Sequence, residues 1–408
     1  MLKTNHATPV AERTTAVVPH MPTWLMMLIA SACGLIVANI YYAQPLLGLI
    51  SHSVGLQPGA AGLVVTLTQV GYGAGLLLVV PMGDLLENRR LVLGLLVLLV
   101  CALGISLLAS QPAAFLGASL LIGFAAVAVQ VLVPYASHMA PEAVRGRVVG
   151  NVMSGLMLGI MLARPVASVV THLWSWQAVY GMSAVLMLVL GCVLRALMPP
   201  RAPLAKTSYG ALLGSLGGIF ARYAVLRRRA LYQAGMFGAF SVFWTVTPLL
   251  LSSPAFGLTQ KGIALFALVG VAGAIAAPIA GRVADHGWTR QASAFCMLLA
   301  IVSFAMTLLA PAGSTLALGL LVVAAVLLDF GVSGNLVLGQ RAIYGLDPEL
   351  RSRVNGLYMA TFFLGGAAGS ALGAWSYAHW GWGAAAIVGM CMPTAALLYF
   401  ATERRQPG

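Results

Sequence analysis

The amino-acid sequence predicts an all-α membrane protein of twelve transmembrane helices, arranged as two six-helix repeats with both termini cytoplasmic. Of its 408 residues, 60% are hydrophobic and only 8% are charged, whereas an average soluble domain carries about 25% charged residues. The apolar residues fall in stretches of about 20, the length that crosses a bilayer as a helix. The two halves of the chain also repeat one another. This composition excludes a soluble enzyme, a nucleic-acid-binding domain and a disordered chain.

Twelve apolar stretches are predicted to span the membrane. Charged residues bracket several of them, and the eighth lies between Lys261 and Arg282 with no charge inside it. The strands of a membrane barrel would instead be segments of about 10 residues with alternating polarity, and the sequence does not show that pattern. The predicted spans are 24–44, 60–82, 91–110, 114–136, 148–170, 176–197, 231–252, 262–281, 291–311, 315–339, 354–376 and 383–402.

The positive charges predict the orientation. If both termini are cytoplasmic, 20 of the 22 Lys and Arg residues lie in the tails and in the loops on that side. The exceptions are Lys261 and Arg164. Cytoplasmic loops carry such an excess, so the formal charge of +13 indicates topology and not a nucleic-acid partner.

An internal repeat predicts the domain organisation. Arg145-Gly-Arg147 recurs as Arg351-Ser-Arg353, and Trp174-Ser-Trp176 recurs at the same spacing as Trp380-Gly-Trp382. The predicted units are a cytoplasmic tail at 1–22, a six-helix half at 23–197, a cytoplasmic linker at 198–230, a second half at 231–403 and a tail at 404–408. The linker contains an amphipathic pattern near 208–225 that predicts an interfacial helix.

Short motifs follow spans 2 and 8 and occur inside spans 1 and 10. They are Pro81-Met-Gly83-Asp84 with Arg89-Arg90, Gly281 with Asp285 and Arg290, Asn39-Ile-Tyr41-Tyr42-Ala-Gln44-Pro45, and Asp329-Phe-Gly. These segments resemble the major facilitator superfamily over nearly the whole chain. Within it, they are most similar to the bacterial twelve-span drug:proton antiporters and their sugar-efflux-like relatives.

The sequence departs from that branch at two places. Glu87 stands where the loop motif would have a glycine, and Arg164 stands at the proline position of the antiporter signature in span 5, with Pro165 after it. The resemblance implies a secondary transporter of the bacterial inner membrane that works by alternating access of its two halves. The departure at Arg164 weakens the antiporter assignment and leaves the transporter assignment intact.

Asp329 is the only carboxylate inside a predicted span. It lies ~13 Å from the cytoplasmic end of span 10, at 1.5 Å per residue. An ionised Asp at that depth is costly unless it is paired or hydrated. Asp329 is therefore the candidate residue for coupling protons to transport, and the alternative is a static Asp held by hydrogen bonds or by a fixed pair.

Arg164 is the only cation deep inside a predicted span, since Arg195 lies two residues from the cytoplasmic end of span 6. It lies ~9 Å below the outer end of span 5, so one interpretation is an arginine that snorkels to the surface or pairs with another helix. The alternative is a cavity arginine that attracts an anionic substrate or is a partner of Asp329. The two depths differ by ~10 Å, which argues against direct pairing.

The resemblance implies two further sets of site residues. Spans 1, 4, 7 and 10 would line a substrate cavity, and their candidates, with Arg164, are Asn39, Tyr42, Gln44, Gln130, Phe243, Trp244, Thr247 and Asn335. The charges at the cytoplasmic helix ends would form a gate between the halves, and these are Asp84, Arg89, Arg90, Arg145, Arg147, Asp285, Arg290, Arg351 and Arg353. For the gate, the alternative is ordinary charges on solvated loops.

The predicted function is secondary active transport, with proton-coupled efflux of a small lipophilic compound as the first choice. The alternative is proton-coupled uptake of a sugar or a small organic acid, and a receptor or scaffold without transport is a third possibility. The aromatic, weakly charged cavity favours amphipathic substrates. The predicted partners are the substrate, protons and the lipid bilayer around a monomer. The sequence indicates no cofactor, no metal site, no nucleic acid and no enzymatic activity.

Overall fold

The protein is helical throughout the part of the chain that the structure, a computed structural model, describes. The described residues are 22–202, 208–272, 276, 279–280, 282–283, 286–347 and 350–403, and no strand occurs among them. The helices with described bounds, numbered in chain order, are α1 Thr23–Ala38, α2 Leu47–Val54, α3 Leu63–Leu78, α4 Asn88–Leu108, α5 Pro112–Ala126, α6 Ala128–Met139, α7 Arg145–Leu173, α8 Trp176–Leu197, α9 Tyr209–Arg222, α10 Ala224–Ser252, α11 Gln260–Ala267, α12 Thr289–Met306, α13 Thr315–Tyr344 and α14 Arg351–Ala401.

Nine helical segments within the described residues are long and apolar enough to cross a membrane, and two shorter apolar helices, Thr23–Ala38 and Gln260–Gly270, accompany them. The longest segment, Arg351–Ala401, is interrupted at Gly381, which has a φ of 75°. Glycine enters this left-handed region at no steric cost. The interruption falls between the predicted spans 354–376 and 383–402. The all-helical membrane fold is therefore confirmed, whereas the count of twelve spans and the side of the termini stay predictions.

The first predicted span, 24–44, is a regular helix only as far as Ala38. The side-chain nitrogen of Asn39 donates hydrogen bonds to the backbone oxygens of Leu35 and Ile36 at 3.0 and 3.2 Å. Asn side chains compete in this way with the helical hydrogen-bond ladder. The chain then passes through turns to α2, which brings Gln44 into the protein interior.

The amphipathic pattern predicted near 208–225 corresponds to helix α9, whereas its position at the membrane interface stays a prediction. Tyr209 donates a hydrogen bond to the backbone oxygen of Leu78 at 2.8 Å, and Arg353 donates one to Ser215 at 3.2 Å. Helix α9 therefore contacts both halves. Helix α10 begins at Ala224, earlier than the predicted span at 231. The predicted tails, except for Pro22, and residues 203–207 of the linker lie outside the described residues.

Each half contains the same close approach of two helices. In the N-terminal half, a Cβ built on Gly159 would overlap the backbone of Gly34. In the C-terminal half, a Cβ built on Gly369 would overlap the backbone of Gly238 in the same way. Small residues allow such contacts between membrane helices. Helices α7 and α14 also begin at Arg145 and Arg351, which are paired positions of the sequence repeat, so the repeat is also visible in the packing.

The two halves meet along α3 and α14, a contact that we call the outer seam. Here "outer" means the side opposite the basic side, and the basic side is the one that carries Arg89 and Arg353. Thr66 and Ser370 share a hydrogen bond of 2.8 Å across the seam. Deeper in the protein, Gln69 donates a hydrogen bond to Ser241 of α10 at 2.9 Å. On the outer side, α2 also contacts α10, and α7 contacts α11, so the halves are joined there by several pairs of helices.

Candidate functional site: a buried arginine, tryptophan and aspartate

Arg164 lies inside the protein, with only 3% of its surface exposed. Its Nε donates a hydrogen bond of 2.6 Å to Oε1 of Gln44. The guanidinium carbon lies 4.4 Å from the ring centre of Trp244, and the rings of Tyr41 and Phe240 lie at 5.1 and 5.2 Å. A cation is attracted to the face of an aromatic ring at these distances. The rings therefore hold the guanidinium in the interior, and Arg164 does not snorkel to the surface.

Asp329, in the middle of α13, is 4% exposed. Its Oδ1 accepts a hydrogen bond of 2.9 Å from the indole nitrogen of Trp244. The chain at Gly270 closes the other side, where a Cβ would lie 3.1 Å from the Trp244 ring and 3.2 Å from Oδ2 of Asp329. The space at Gly270 is therefore too small for an ordinary Cβ contact.

Trp244 contacts both charged groups. Among the described residues, Arg164 and Asp329 are the only charged side chains that are buried, and no direct ion pair joins them. The ring face of Trp244 lies against Arg164, and its indole N–H donates a hydrogen bond to Asp329. We call these three residues the charge cluster. A buried charge is costly without an opposite charge and hydrogen bonds. Arg164 and Asp329 lie within electrostatic range of one another, and Trp244 gives Asp329 a hydrogen bond and Arg164 a ring face.

Four predicted cavity residues are engaged in helix packing. Asn39 accepts a hydrogen bond from Ser183 at 2.6 Å, and Gln130 donates one to the Tyr72 hydroxyl at 3.0 Å. Asn335 donates one to Oε1 of Gln233 at 2.7 Å. The side chain of Phe243 packs among other aromatic rings of the C-terminal half: Trp244, Phe266, Phe304 and Trp382. In this structure these four side chains join helices.

Other predicted cavity residues keep polar atoms without a partner. The side-chain nitrogen Nε2 of Gln44, the Nη2 of Arg164 and the hydroxyl of Thr247 are buried and form no hydrogen bond. Tyr42 is also buried, at 5% exposure. Most buried polar atoms in proteins are hydrogen-bonded, so unpartnered atoms beside the charge cluster indicate a place where a polar ligand group or water fits.

Two residues near these groups, Gln233 and Gly270, were not predicted from the sequence. Gln233 joins α10 to α13, because it accepts from Asn335 and donates to the backbone oxygen of Val332. Gln233 could have been noticed in the sequence, because it is a polar residue in an apolar stretch. It lies near the predicted start of span 7, however, where polar residues are common. Gly270 gave no comparable signal, because glycine is frequent throughout the chain.

The predicted gate residues lie at the basic side, and their contacts are mostly local. Glu87, the residue that replaces the motif glycine, pairs with Arg90 at 2.7 Å and with Arg89 at 3.5 Å. Arg145 donates to the backbone of Ser137. Each of these contacts stays within the N-terminal half.

Two further gate residues lie in the C-terminal half. Arg290 donates to the backbone of Glu403 at 3.0 Å, and Arg353 contacts helix α9. Asp84 is exposed and lies within electrostatic range of Arg353. Arg147 and Arg351 are exposed, and Asp285 lies outside the described residues.

Comparison with known proteins identifies the family. The model of the Major Facilitator Superfamily matches residues 26–323. One relative is the uncharacterized transporter YgaY of Escherichia coli, which is 38% identical over 374 residues, covering 92% of this chain and 94% of that protein. Another is the probable transporter SCO4007 of Streptomyces coelicolor, 34% identical over 372 residues, covering 91% of this chain and 84% of that protein.

Solved structures share the fold at low sequence identity. A mutant of the nucleoside transporter NupG superposes with a TM-score of 0.73 at 14% identity, covering 92% of this chain and 99% of that one. A bacterial homolog of the human lysosomal transporter Spinster, in an inward-facing conformation, gives 0.70 at 12% identity, covering 93% and 94%. The chain therefore belongs to the Major Facilitator Superfamily, and it is a multi-pass membrane transporter of that type and not an enzyme.

Proposed function

We propose that this transporter couples proton movement to the export of a small lipophilic or drug-like compound. The observation that carries the proposal is the charge cluster. Asp329 is a carboxylate buried in the membrane interior, one hydrogen bond from Trp244 and within electrostatic range of the cation of Arg164. Protonation of such a group changes the net charge of the interior by one unit, so proton binding and substrate binding at this place depend on one another.

The outer seam supports an alternating-access mechanism. The hydrogen bonds Thr66–Ser370 and Gln69–Ser241 join the two halves on one side of the molecule. Export requires this seam to open while the basic side closes. In the proposal, Asp84 and Arg353 approach one another in that closed state, together with the other predicted gate charges. The proposed topology is twelve spans with cytoplasmic termini, in a monomer of the bacterial inner membrane.

The aromatic surroundings of the cluster support a lipophilic substrate. The rings of Tyr41, Phe240 and Trp244 face the guanidinium of Arg164. Sites that bind amphipathic compounds are lined mainly by apolar and aromatic side chains with a few placed polar groups. An aromatic wall with one cation and one anion matches that description.

Proton-coupled uptake is the second candidate, and one observation favours it for organic acids. The unpartnered nitrogens of Arg164 and Gln44 suit an acidic group, and a nutrient acid would enter with a proton. Export and uptake differ in the direction in which an imposed pH gradient drives the substrate.

The test is proton flux in proteoliposomes loaded with a panel of drugs, sugars and organic acids. Wild type should show substrate-induced proton flux, and Asp329→Asn should abolish it while the protein still folds. Glu142→Gln, which changes an exposed carboxylate, is the matched control and should behave like wild type. Substrate flux that needs no proton gradient and survives Asp329→Asn would refute proton coupling, and the sign of the flux decides between export and uptake.

A further inference from the structure

We propose that Arg164 and Gln44 form a binding site for the carboxylate group of the transported compound, so that the substrates are lipophilic monocarboxylates. This inference rests on the second candidate of the proposed function, proton-coupled uptake of an acid, because it names the substrate class that the same cluster would recognise. Besides the aromatic wall, the site then has two named hydrogen-bond donors and a required charge on the ligand.

The side chains of Arg164 and Gln44 are in direct contact. Arg164 Nε donates to Gln44 Oε1 at 2.6 Å, and this bond fixes the amide of Gln44 against the guanidinium. Two further nitrogens of this pair, Arg164 Nη2 and Gln44 Nε2, are buried and have no partner. The residues themselves are 3% and 0% exposed. A pair of adjacent N–H donors can bind the two oxygens of one carboxylate, and guanidinium groups bind carboxylates with favourable geometry.

The two unpartnered donors are the observation that points to a polar ligand group. Burial without a hydrogen bond costs free energy for each polar atom, and here two such atoms belong to neighbouring side chains. Among the described residues, no polar group bonds to either of these nitrogens. The pair is therefore available for a group that arrives with the substrate.

The charge of the cluster sets the charge of the ligand. Arg164 is the only buried cation of the described residues, and Asp329 is the only buried anion. When Asp329 is protonated, the cluster carries one positive charge, and one carboxylate neutralises it. A dianion would leave an unpaired charge in the interior, and a cation would meet Arg164 directly. The site therefore selects a single negative charge.

The aromatic rings determine the rest of the ligand. Tyr41, Phe240 and Trp244 surround the guanidinium within 5.2 Å, so the body that follows the carboxylate contacts ring faces. Apolar contact and exclusion of water favour an aromatic or alkyl body, and exclusion of water strengthens the bond between guanidinium and carboxylate. Sugars lack both the acid group and the apolar body.

The experiment measures equilibrium binding to the purified full-length protein in lipid nanodiscs by calorimetry. The probes are benzoate, phenylacetate and octanoate, each with its neutral amide, and phthalate and benzylammonium as the dianion and the cation. At least one monocarboxylate should bind 10-fold or more tightly than its amide, and phthalate and benzylammonium should bind more weakly. Arg164→Lys and Gln44→Leu should each weaken carboxylate binding by 10-fold or more and leave amide binding within about 3-fold.

Matched controls are Arg195→Lys and Gln111→Leu, which change exposed residues of the same types and should bind like wild type. Thermal unfolding of each variant shows whether it is folded. Gln44→Glu places a carboxylate beside the site and should abolish monocarboxylate binding in a folded protein.

The proposal is overturned if acids and amides bind equally, if no acid binds, or if Arg164→Lys binds acids normally. Any of these results would mean that the donors hold water only. This failure is distinct from a failure of proton coupling. Coupled transport of a neutral compound overturns the carboxylate site alone, whereas tight carboxylate binding without any proton flux overturns the coupling alone.

Discussion

Gly62, at the outer end of α3, is the position where a single methyl group should open the outer seam. A Cβ on Gly62 would lie 2.5 Å from the Cβ of Ala374 and 2.5 Å from the backbone oxygen of Ser370. Backbone cannot move aside as a flexible side chain does, so Gly62→Ala forces α3 and α14 apart. The same separation weakens the hydrogen bond between Thr66 and Ser370, one turn further along the seam.

The size of the effect follows from the overlap. Overpacking by a methyl group in a packed interior costs about 1–3 kcal/mol. The cost falls only on the state in which the seam is closed, so the ratio of open to closed molecules should rise by about 5-fold to 150-fold, at tenfold per 1.4 kcal/mol. Gly73 provides a matched control on the same helix and facing the same partner. Its Cβ would lie 3.6 Å from the backbone oxygen of Ala360, which is an ordinary contact.

The assay is a distance measurement between spin labels at positions 57 and 379, which line the groove between α3 and α14 at the outer end of the seam. The labels are attached to introduced cysteines after the five native cysteines are replaced. Gly62→Ala should increase the population with the longer distance, and Gly73→Ala should match the unsubstituted protein. The reasoning is refuted if Gly62→Ala leaves the distance distribution unchanged, or if Gly73→Ala opens the seam equally.

Three other substitutions test the cluster, the helix packing and the linker. Gly270→Ala should reduce transport at least several-fold by crowding the charge cluster, while Gly104→Ala, with nothing within 4 Å of its Cβ, should transport normally; equal rates would contradict the crowding. Gln233→Leu leaves Asn335 without its partner and should lower the free energy of unfolding by about 1–3 kcal/mol, as measured by denaturant titration; unchanged stability would contradict this. Tyr209→Phe should speed amide hydrogen exchange within α9, and an unchanged rate would show that the bond to α3 does not hold the helix.

The membrane fold could be predicted because the bilayer restricts the alternatives. A spanning segment must satisfy its backbone hydrogen bonds internally, so apolar run length alone indicates helices. The ends of the helices were less predictable. The first predicted span continued to residue 44, whereas the helix ends at Ala38, where the Asn39 side chain donates hydrogen bonds to the backbone oxygens of Leu35 and Ile36. The hydropathy pattern of a sequence contains no information about such a hydrogen bond.

The charged members of the site could be predicted, since each is a single charge in an apolar stretch. The function of the neutral polar residues could not. Asn39, Gln130 and Asn335 were equally good cavity candidates, yet each bonds to another helix, through Ser183, Tyr72 and Gln233 respectively. Which face of a buried helix meets a neighbour depends on its rotation, and rotation is poorly determined when all faces are apolar.

Arg164 and Asp329 are connected in a way that their depths in the membrane do not reveal. Their depths differ by ~10 Å along the membrane normal, which argued against contact, and the structure shows no direct ion pair between them. The indole of Trp244 connects them instead, with its face 4.4 Å from the guanidinium and its N–H 2.9 Å from the carboxylate. A large side chain between two charges transmits a change at one to the other. In the proposed mechanism, a substrate that displaces Trp244 or pairs with Arg164 alters the surroundings of Asp329 without touching it, and this indirect connection would couple substrate to proton.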